Sequence, residues 1–208
     1  LWHINYPVKG EDKVYITVAT TRPETMLGDT AVAVNPKDER FNSLIGKKAI
    51  LPLVGRTIPI IGDDYADMER GSGAVKITPG HDFNDFEVSK RHSLEIINIF
   101  DENAYLNENV PNDFQKLERF KARELIVNLL EEKDLIIKIE TIEHTVPYGD
   151  RSGVIIEPKL TDQWYVDAKK LAVPAVEIVA KGKVEFVPKQ WEKTFFEWMK
   201  NIEPWCVS

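Results

Sequence analysis

Several strand-like runs in this chain follow one another through connections too short to hold a crossover helix, which disfavours a doubly wound parallel sheet. Val14, Ile16 and Val18 alternate with Tyr15, Thr17 and Ala19, the period of a strand buried on one side. Thr30 to Val34 repeats the character, and Asn35-Pro36 closes it before a short helical piece ending near Gly46. Two apolar runs between Lys48 and Ile61 carry Pro52 and Pro59 around Gly55. Proline cannot donate into a ladder, so these runs predict a hairpin at a sheet margin.

Further along, Ala74 to Thr78 and Leu94 to Phe100 have strand character, and Asp82 to His92 suits a helix with Asp82 near its N-cap. Phe114 to Lys133 is the clearest amphipathic helix, and Leu135 to Val146 returns to a strand. The last third predicts helices near Ala168 to Ala180 and Trp191 to Ile202, with a strand near Val184 to Val187 between them. Strands outnumber helices. The expected fold is therefore α+β, a mixed and largely antiparallel sheet closed into a β-barrel with peripheral helices.

With 27 Lys+Arg against 34 Asp+Glu, a net charge of −7 argues against a protein that coats phosphates along a nucleic acid. No apolar run approaches transmembrane length, so no membrane partner is expected. The single Cys206 excludes an internal disulfide and suits a reducing compartment, with the cytoplasm as the expected location.

Two segments concentrate chemistry. Thr20 to Thr25, with Asp29 just beyond, places hydroxyls, a guanidinium and an acid where a strand gives way to a short helix begun by Pro23. Exposed N–H groups there could hold an ester carbonyl or a phosphate, or the segment could be a capped turn with an Arg salt bridge. In the second segment Lys76 and Thr78 share one face of a strand, and Asp82 and Asp85 share one face of a helix. A cation, a hydroxyl and two carboxylates thus converge across one turn, unless the segment is only a capped surface helix. Lys76 stands three residues after Gly73 instead of directly after it, and no Lys-Ser or Lys-Thr pair follows, which is not a P-loop. His81, Asp82 and Asp85 are metal-ligand types, but His3, His92 and His144 show no spacing that completes a set, so no metal and no cofactor are expected. No Gly-x-Ser-x-Gly elbow is present, so a covalent nucleophile is not indicated.

At these segments the chain resembles a known family. Ala19 to Pro36 looks like the threonine-rich segment of the editing domain (connective peptide 1) inserted in valyl-tRNA synthetases, and Gly71 to His92 resembles its second signature. Val146 to Gly153 and Trp164 extend the likeness over essentially the whole chain. Lys76-Ile77-Thr78-Pro79-Gly80-His81-Asp82 is closer to the valyl pattern than to the related leucyl and isoleucyl insertions, which remain the alternative. The ATP-handling tetrads of a synthetase core, of the His-Ile-Gly-His and Lys-Met-Ser-Lys types, do not occur. The resemblance implies an editing domain over residues 1–208, with 1–8 and 198–208 as stems toward a catalytic core.

The resemblance further implies a deacylase that hydrolyses threonyl ester from mischarged valine tRNA. An apolar pocket cannot strongly reject an isostere that only adds a hydroxyl, a limit for which valyl enzymes are themselves a standard example, whereas a pocket requiring the hydroxyl can select it. By this likeness Asp85, Lys76 and Asp82 are catalytic, with Asp85 anchoring the polar end of the misattached residue. Thr25, Thr78 and His81 belong to the substrate wall, and Thr21, Arg22 and Asp29 to the segment that positions the tRNA terminus. The implied partners are the aminoacylated 3′ end of valine tRNA and the rest of a synthetase chain, in a monomer. Two other readings stay open: a tRNA-acceptor binding module inactive when isolated, and a phosphohydrolase using a metal at His81 and Asp82.

Overall fold

Trp2, Ile4 and Tyr6 alternate with polar neighbours, and the chain accordingly opens with a strand, β1 (Trp2–Pro7), in which Ile4 and Tyr6 are wholly buried. The computed structural model describes residues 1–208. β1 lies between β2 (Tyr15–Thr20) and β7 (Ile136–Ile139) in an antiparallel sheet. Tyr6 faces Ile16 and Ile4 faces Val18, so the buried positions of the two strands stack.

After β2 a 3₁₀ helix, Pro23–Gly28, leads into β3 (Ala31–Val34), every residue of which is buried. β4 (Lys48–Ile50) and β5 (Thr57–Gly62) form the expected hairpin, with β4 on the sheet edge. β5 returns beside β3 in parallel, and β6 (Ala74–Ile77) pairs antiparallel on the other side of β3. A mixed four-stranded sheet of order β4-β5-β3-β6 thus arises without a crossover helix, because the hairpin reverses the chain first. Helix α1 (Phe83–His92) follows β6. Helix α2 (Arg119–Glu132) buries Ala122, Ile126 and Leu130 in the main core, alongside Met26, Leu27, Val32 and Ile99.

The barrel expectation is overturned: no sheet closes on itself. One bridge, Val8 with Ala49, links the two sheets, while β2 and β6 run close together with no ladder between them. Closure needs continuous pairing around the ring, and strands of 3 and 4 residues such as β4, β3 and β6 are too short to supply it.

Three further runs differ from their sequence reading. Leu94 to Phe100 is apolar but forms no strand, since the Ile99 amide donates to the His81 ring instead of a neighbouring strand. Residues 36–46 form successive turns, not a helix, and α2 begins only at Arg119, capped by Glu118. Residues 140–147 and 184–187 are not in strands.

Residues 161–208 are a separate compact unit. Its helices α3 (Ala168–Ala180) and α4 (Trp191–Lys200) accompany a two-stranded pairing of β8 (Tyr165–Val166) with β9 (Trp205–Cys206). No helix of the chain is long and apolar enough to cross a membrane.

Candidate functional site

The site grows from the unpaired seam between β2 and β6. Alternation along β6 turns Lys76 and then Thr78 to the same side, and both are buried. Pro79-Gly80 then breaks the strand. A Cβ on Gly80 would stand 2.5 Å from the Ile97 carbonyl oxygen, so only glycine permits this approach of two backbones. Asp82 caps α1, its Oδ1 accepting from the amides of Asn84 (2.8 Å) and Asp85 (3.1 Å), and this places Asp85 in the first helical turn, buried.

Lys76 Nζ donates to Thr25 Oγ1 at 2.9 Å, to Asp29 Oδ1 at 3.2 Å and to Thr78 Oγ1. Thr78 Oγ1 donates in turn to Asp29 Oδ1 at 2.6 Å, and Tyr6 Oη donates to Asp29 Oδ2 at 2.8 Å. Burial pushes the Asp29 carboxyl up from its ordinary value, while Lys76, Thr78 and Tyr6 all pull against that rise. The Thr78 amide donates to Asp85 Oδ2 at 2.8 Å. Burial drives Asp85 up to about 7, against the Lys76 charge and the Thr78 amide. Tyr65 stands beside it, its phenol pushed up by burial and by the Asp85 and Asp82 carboxylates.

These groups border a cleft of about 410 Å³ lined by Thr21, Arg22, Thr25, Lys76, Thr78 and Asp85 among others. A second cleft of about 360 Å³ shares Thr21, Arg22, His81 and Asp82 and continues along Arg119, Arg123 and Glu157.

The structure therefore gathers Thr25, Asp29, Lys76, Thr78 and Asp85 into one network, although Asp29, at 0% exposure, lies behind the wall and not on it. Arg22 holds the partition between the clefts, with Nη1 on the His81 carbonyl at 3.1 Å, Nη2 on Glu157 and Nε on Glu24 at 3.3 Å. Thr21 lines both clefts. The Asp82 carboxylate serves the α1 cap and faces the cleft rim. His81 Nε2 accepts the Ile99 amide at 3.0 Å, and burial pushes the ring down to about 3, so it stays neutral with Nε2 committed to the backbone. No three His, Cys, Asp or Glu side chains are grouped to share a metal ion.

Several contributors escaped the sequence reading. Tyr6 was signalled by the alternation of Trp2, Ile4 and Tyr6. Arg119 and Arg123 are four apart on α2 and meet Glu157 and Glu24. Nothing in the sequence around Glu157 marks its role.

A family model described as tRNA synthetases class I (I, L, M and V) matches residues 11–208. The chain is 57% identical over 208 residues to a valine–tRNA ligase of Pelagibacter ubique, covering 100% of this chain and 24% of that protein. It is 62% identical over 198 residues to the valine–tRNA ligase of Caulobacter vibrioides, covering 95% of this chain and 22% of that one. The chain thus spans about a quarter of the length of the curated relatives it matches. Among solved structures, GlLeuRS-CP1 superposes with a TM-score of 0.54 at 13% identity, over 68% of this chain and 99% of that one. A LeuRS of Agrobacterium radiobacter K84, solved in a ternary complex with tRNA and LeuAMS, gives 0.52 at 21% identity, over 64% of this chain and 19% of that one. These two likenesses concern the fold.

Proposed function

The chain belongs to the class I tRNA synthetase family (I, L, M and V), and on that footing we propose that residues 1–208 are its editing domain, a deacylase for threonyl ester on valine tRNA. In this reading 1–8 and 198–208 lead toward a catalytic core elsewhere in the synthetase. The observation that carries it is the convergence of Asp85 with the hydroxyls of Thr25 and Thr78 at one small polar cleft, held from behind by Lys76. A threonyl group offers an ammonium and a hydroxyl to these groups. Valine would desolvate the same wall and leave it unpaired.

Hydrolysis needs no covalent enzyme intermediate. A held water attacks the ester carbonyl carbon, the bond from that carbon to the ribose oxygen breaks, and a proton from the water ends on the ribose oxygen. Asp85 anchors the aminoacyl group by its donors, and the Arg22 partition with Thr21, His81 and Asp82 borders the ribose side. The test is release of free threonine from threonylated valine tRNA in single-turnover mixing, with valylated tRNA as control. Selective loss of the threonyl ester is expected; equal hydrolysis of both esters, or of neither, overturns the proposal.

A further inference from the structure

The turn that follows β5, residues 63–66, is tied down at several points. The Asp63 amide donates to the Val34 carbonyl at 2.9 Å, and Asp63 Oδ1 accepts from the Tyr65 amide at 2.9 Å. The Ala66 amide donates to the Asp63 carbonyl at 3.1 Å, and the Ala66 carbonyl accepts from Asn35 Nδ2 at 2.9 Å. From outside the turn Arg91 grips the same carboxylate bidentately, Nη2 to Oδ1 at 2.9 Å and Nε to Oδ2 at 3.1 Å, and His92 Nε2 meets Oδ2 at 2.8 Å. Burial pushes the Asp63 carboxyl up, but Arg91, the Tyr65 amide and His92 hold it down at about 2, so it stays ionised near neutrality. Arg91 and His92 belong to the last turn of α1 and Asp85 to its first, about 9 Å of helix away. Tyr65 spans that distance: it lines the cleft beside Asp85, its phenol against the Asp85 carboxylate and the Asn84 side chain. The Thr78 amide takes Asp85 Oδ2, and a carboxylate has lone pairs enough for a phenol and a substrate ammonium as well.

We propose that Tyr65 is a positioning residue for Asp85, its phenol donating to the carboxylate that anchors the substrate, and that Asp63, clamped to the far end of α1 by Arg91 and His92, holds Tyr65 in place. This rests on the editing reading and adds to it a route from a remote ion cluster to the cleft. A donor to the carboxylate favours its charged form, the form that can take an ammonium. The other groups around Asp85 come from elsewhere: Lys76 on β6 favours the charge, Asp29 behind the wall and Asp82 at the helix cap oppose it, and Arg22 and Arg70 line the same cleft. Asp64, on the turn itself, is exposed. The phenol is therefore the group through which the turn acts on Asp85.

The experiment follows the Asp85 carboxyl by NMR titration of the 208-residue chain labelled with carboxyl-¹³C aspartate, the resonance being assigned by its loss in Asp85→Asn. Single-turnover hydrolysis of threonylated valine tRNA is measured over the same pH range. In Tyr65→Phe the midpoint should rise from about 7 by about one pH unit. Hydrolysis should then be roughly tenfold slower than wild type below about pH 6 and converge with it above about pH 9, whereas a merely structural role would slow it equally at every pH. Asp63→Ala should move the midpoint the same way, and the double variant no further than Tyr65→Phe alone, since both act through one phenol. An unmoved midpoint in Tyr65→Phe overturns the role of Tyr65, and an unmoved midpoint in folded Asp63→Ala overturns the role of the clamp. If Asp63→Ala does not fold, Arg91→Ala decides the second point in the same way. If the wild-type chain cleaves no threonyl ester, the editing reading fails separately, and the carboxyl titration still decides whether Tyr65 and the clamp act on Asp85.

Discussion

The backbone amide of Thr78 donates to Asp85 Oδ2 across 2.8 Å, joining the end of β6 to the first turn of α1 and leaving the other carboxylate oxygen to the cleft. Burial pushes Asp85 up to about 7, so its charge state changes near neutrality. Only the carboxylate can take a substrate ammonium. Single-turnover hydrolysis should therefore rise roughly tenfold per pH unit up to about 7 and level off above it. Asp85→Asn should be slower and lose this step; a wild-type profile flat from about pH 5 to 8 would contradict the role given to Asp85.

The same shift has a consequence for stability. Asp85 is raised above its unfolded value, so the folded state binds the extra proton, and the cost of its ionised burial builds up as pH rises from the ordinary carboxylate value to about 7 and is constant above that. His81, lowered to about 3, acts in the opposite sense, and its contribution is lost as pH falls from the ordinary histidine value toward 3. The two largely offset each other between about pH 4 and 6.5. Asp85→Asn removes one side of that balance. The variant should gain up to a few kcal/mol on wild type near pH 8 and little near pH 4, measured by urea unfolding at both.

Asp85→Ala deletes a charge-assisted contact to the substrate, about 1.5–3 kcal/mol or roughly 10–100-fold in rate, with the fold retained. Lys76→Met should slow hydrolysis comparably but also cost about 3–5 kcal/mol of stability, because it strands the buried Asp29 carboxylate. The double variant should lose less rate than the product of the two, since both act through one substrate. Single-turnover assays paired with thermal melts separate the two effects.

Glu24 is only 1% exposed and is gripped bidentately by Arg123, Nε to Oε2 at 2.7 Å and Nη2 to Oε1 at 2.8 Å, joining α2 to the 3₁₀ helix that begins at Pro23. Arg123→Ala should destabilise by about 3 kcal/mol by leaving that carboxylate with Arg22 as its remaining partner. Adding Glu24→Leu to Arg123→Met should recover much of the loss, a comparison that denaturant midpoints resolve.

Gly80→Ala drives a Cβ to 2.5 Å from the Ile97 carbonyl oxygen, a contact that only backbone movement can relieve. A loss of about 1–3 kcal/mol is expected in thermal unfolding. Hydrolysis should fall as well, because the same turn carries His81 and Asp82 to the cleft. A fully stable and active variant would show that the turn is not held as described.

Local order was legible in the residues themselves. Asp82 before Phe83 announced the cap of α1, the alternation along β6 put Lys76 and Thr78 on one face, and the prolines around Gly55 marked the β4–β5 hairpin. These are short-range consequences of backbone geometry, in which each residue constrains partners only a few positions away. Tertiary structure alone decided the rest. Tyr6 on β1 meets Asp29 across 23 positions, Arg123 meets Glu24 across 99, and Glu157 meets Arg22 across 135. A polar side chain announces that it needs a partner when buried, but not which distant partner will satisfy it. The apolar run at Leu94 to Phe100 predicted a strand, yet its Ile99 amide was claimed by the His81 ring. The barrel failed for a related reason. Alternation specifies which face of a strand is buried, whereas closure depends on strand lengths and shear around the whole ring, and the seam left open between β2 and β6 is where the cleft lies.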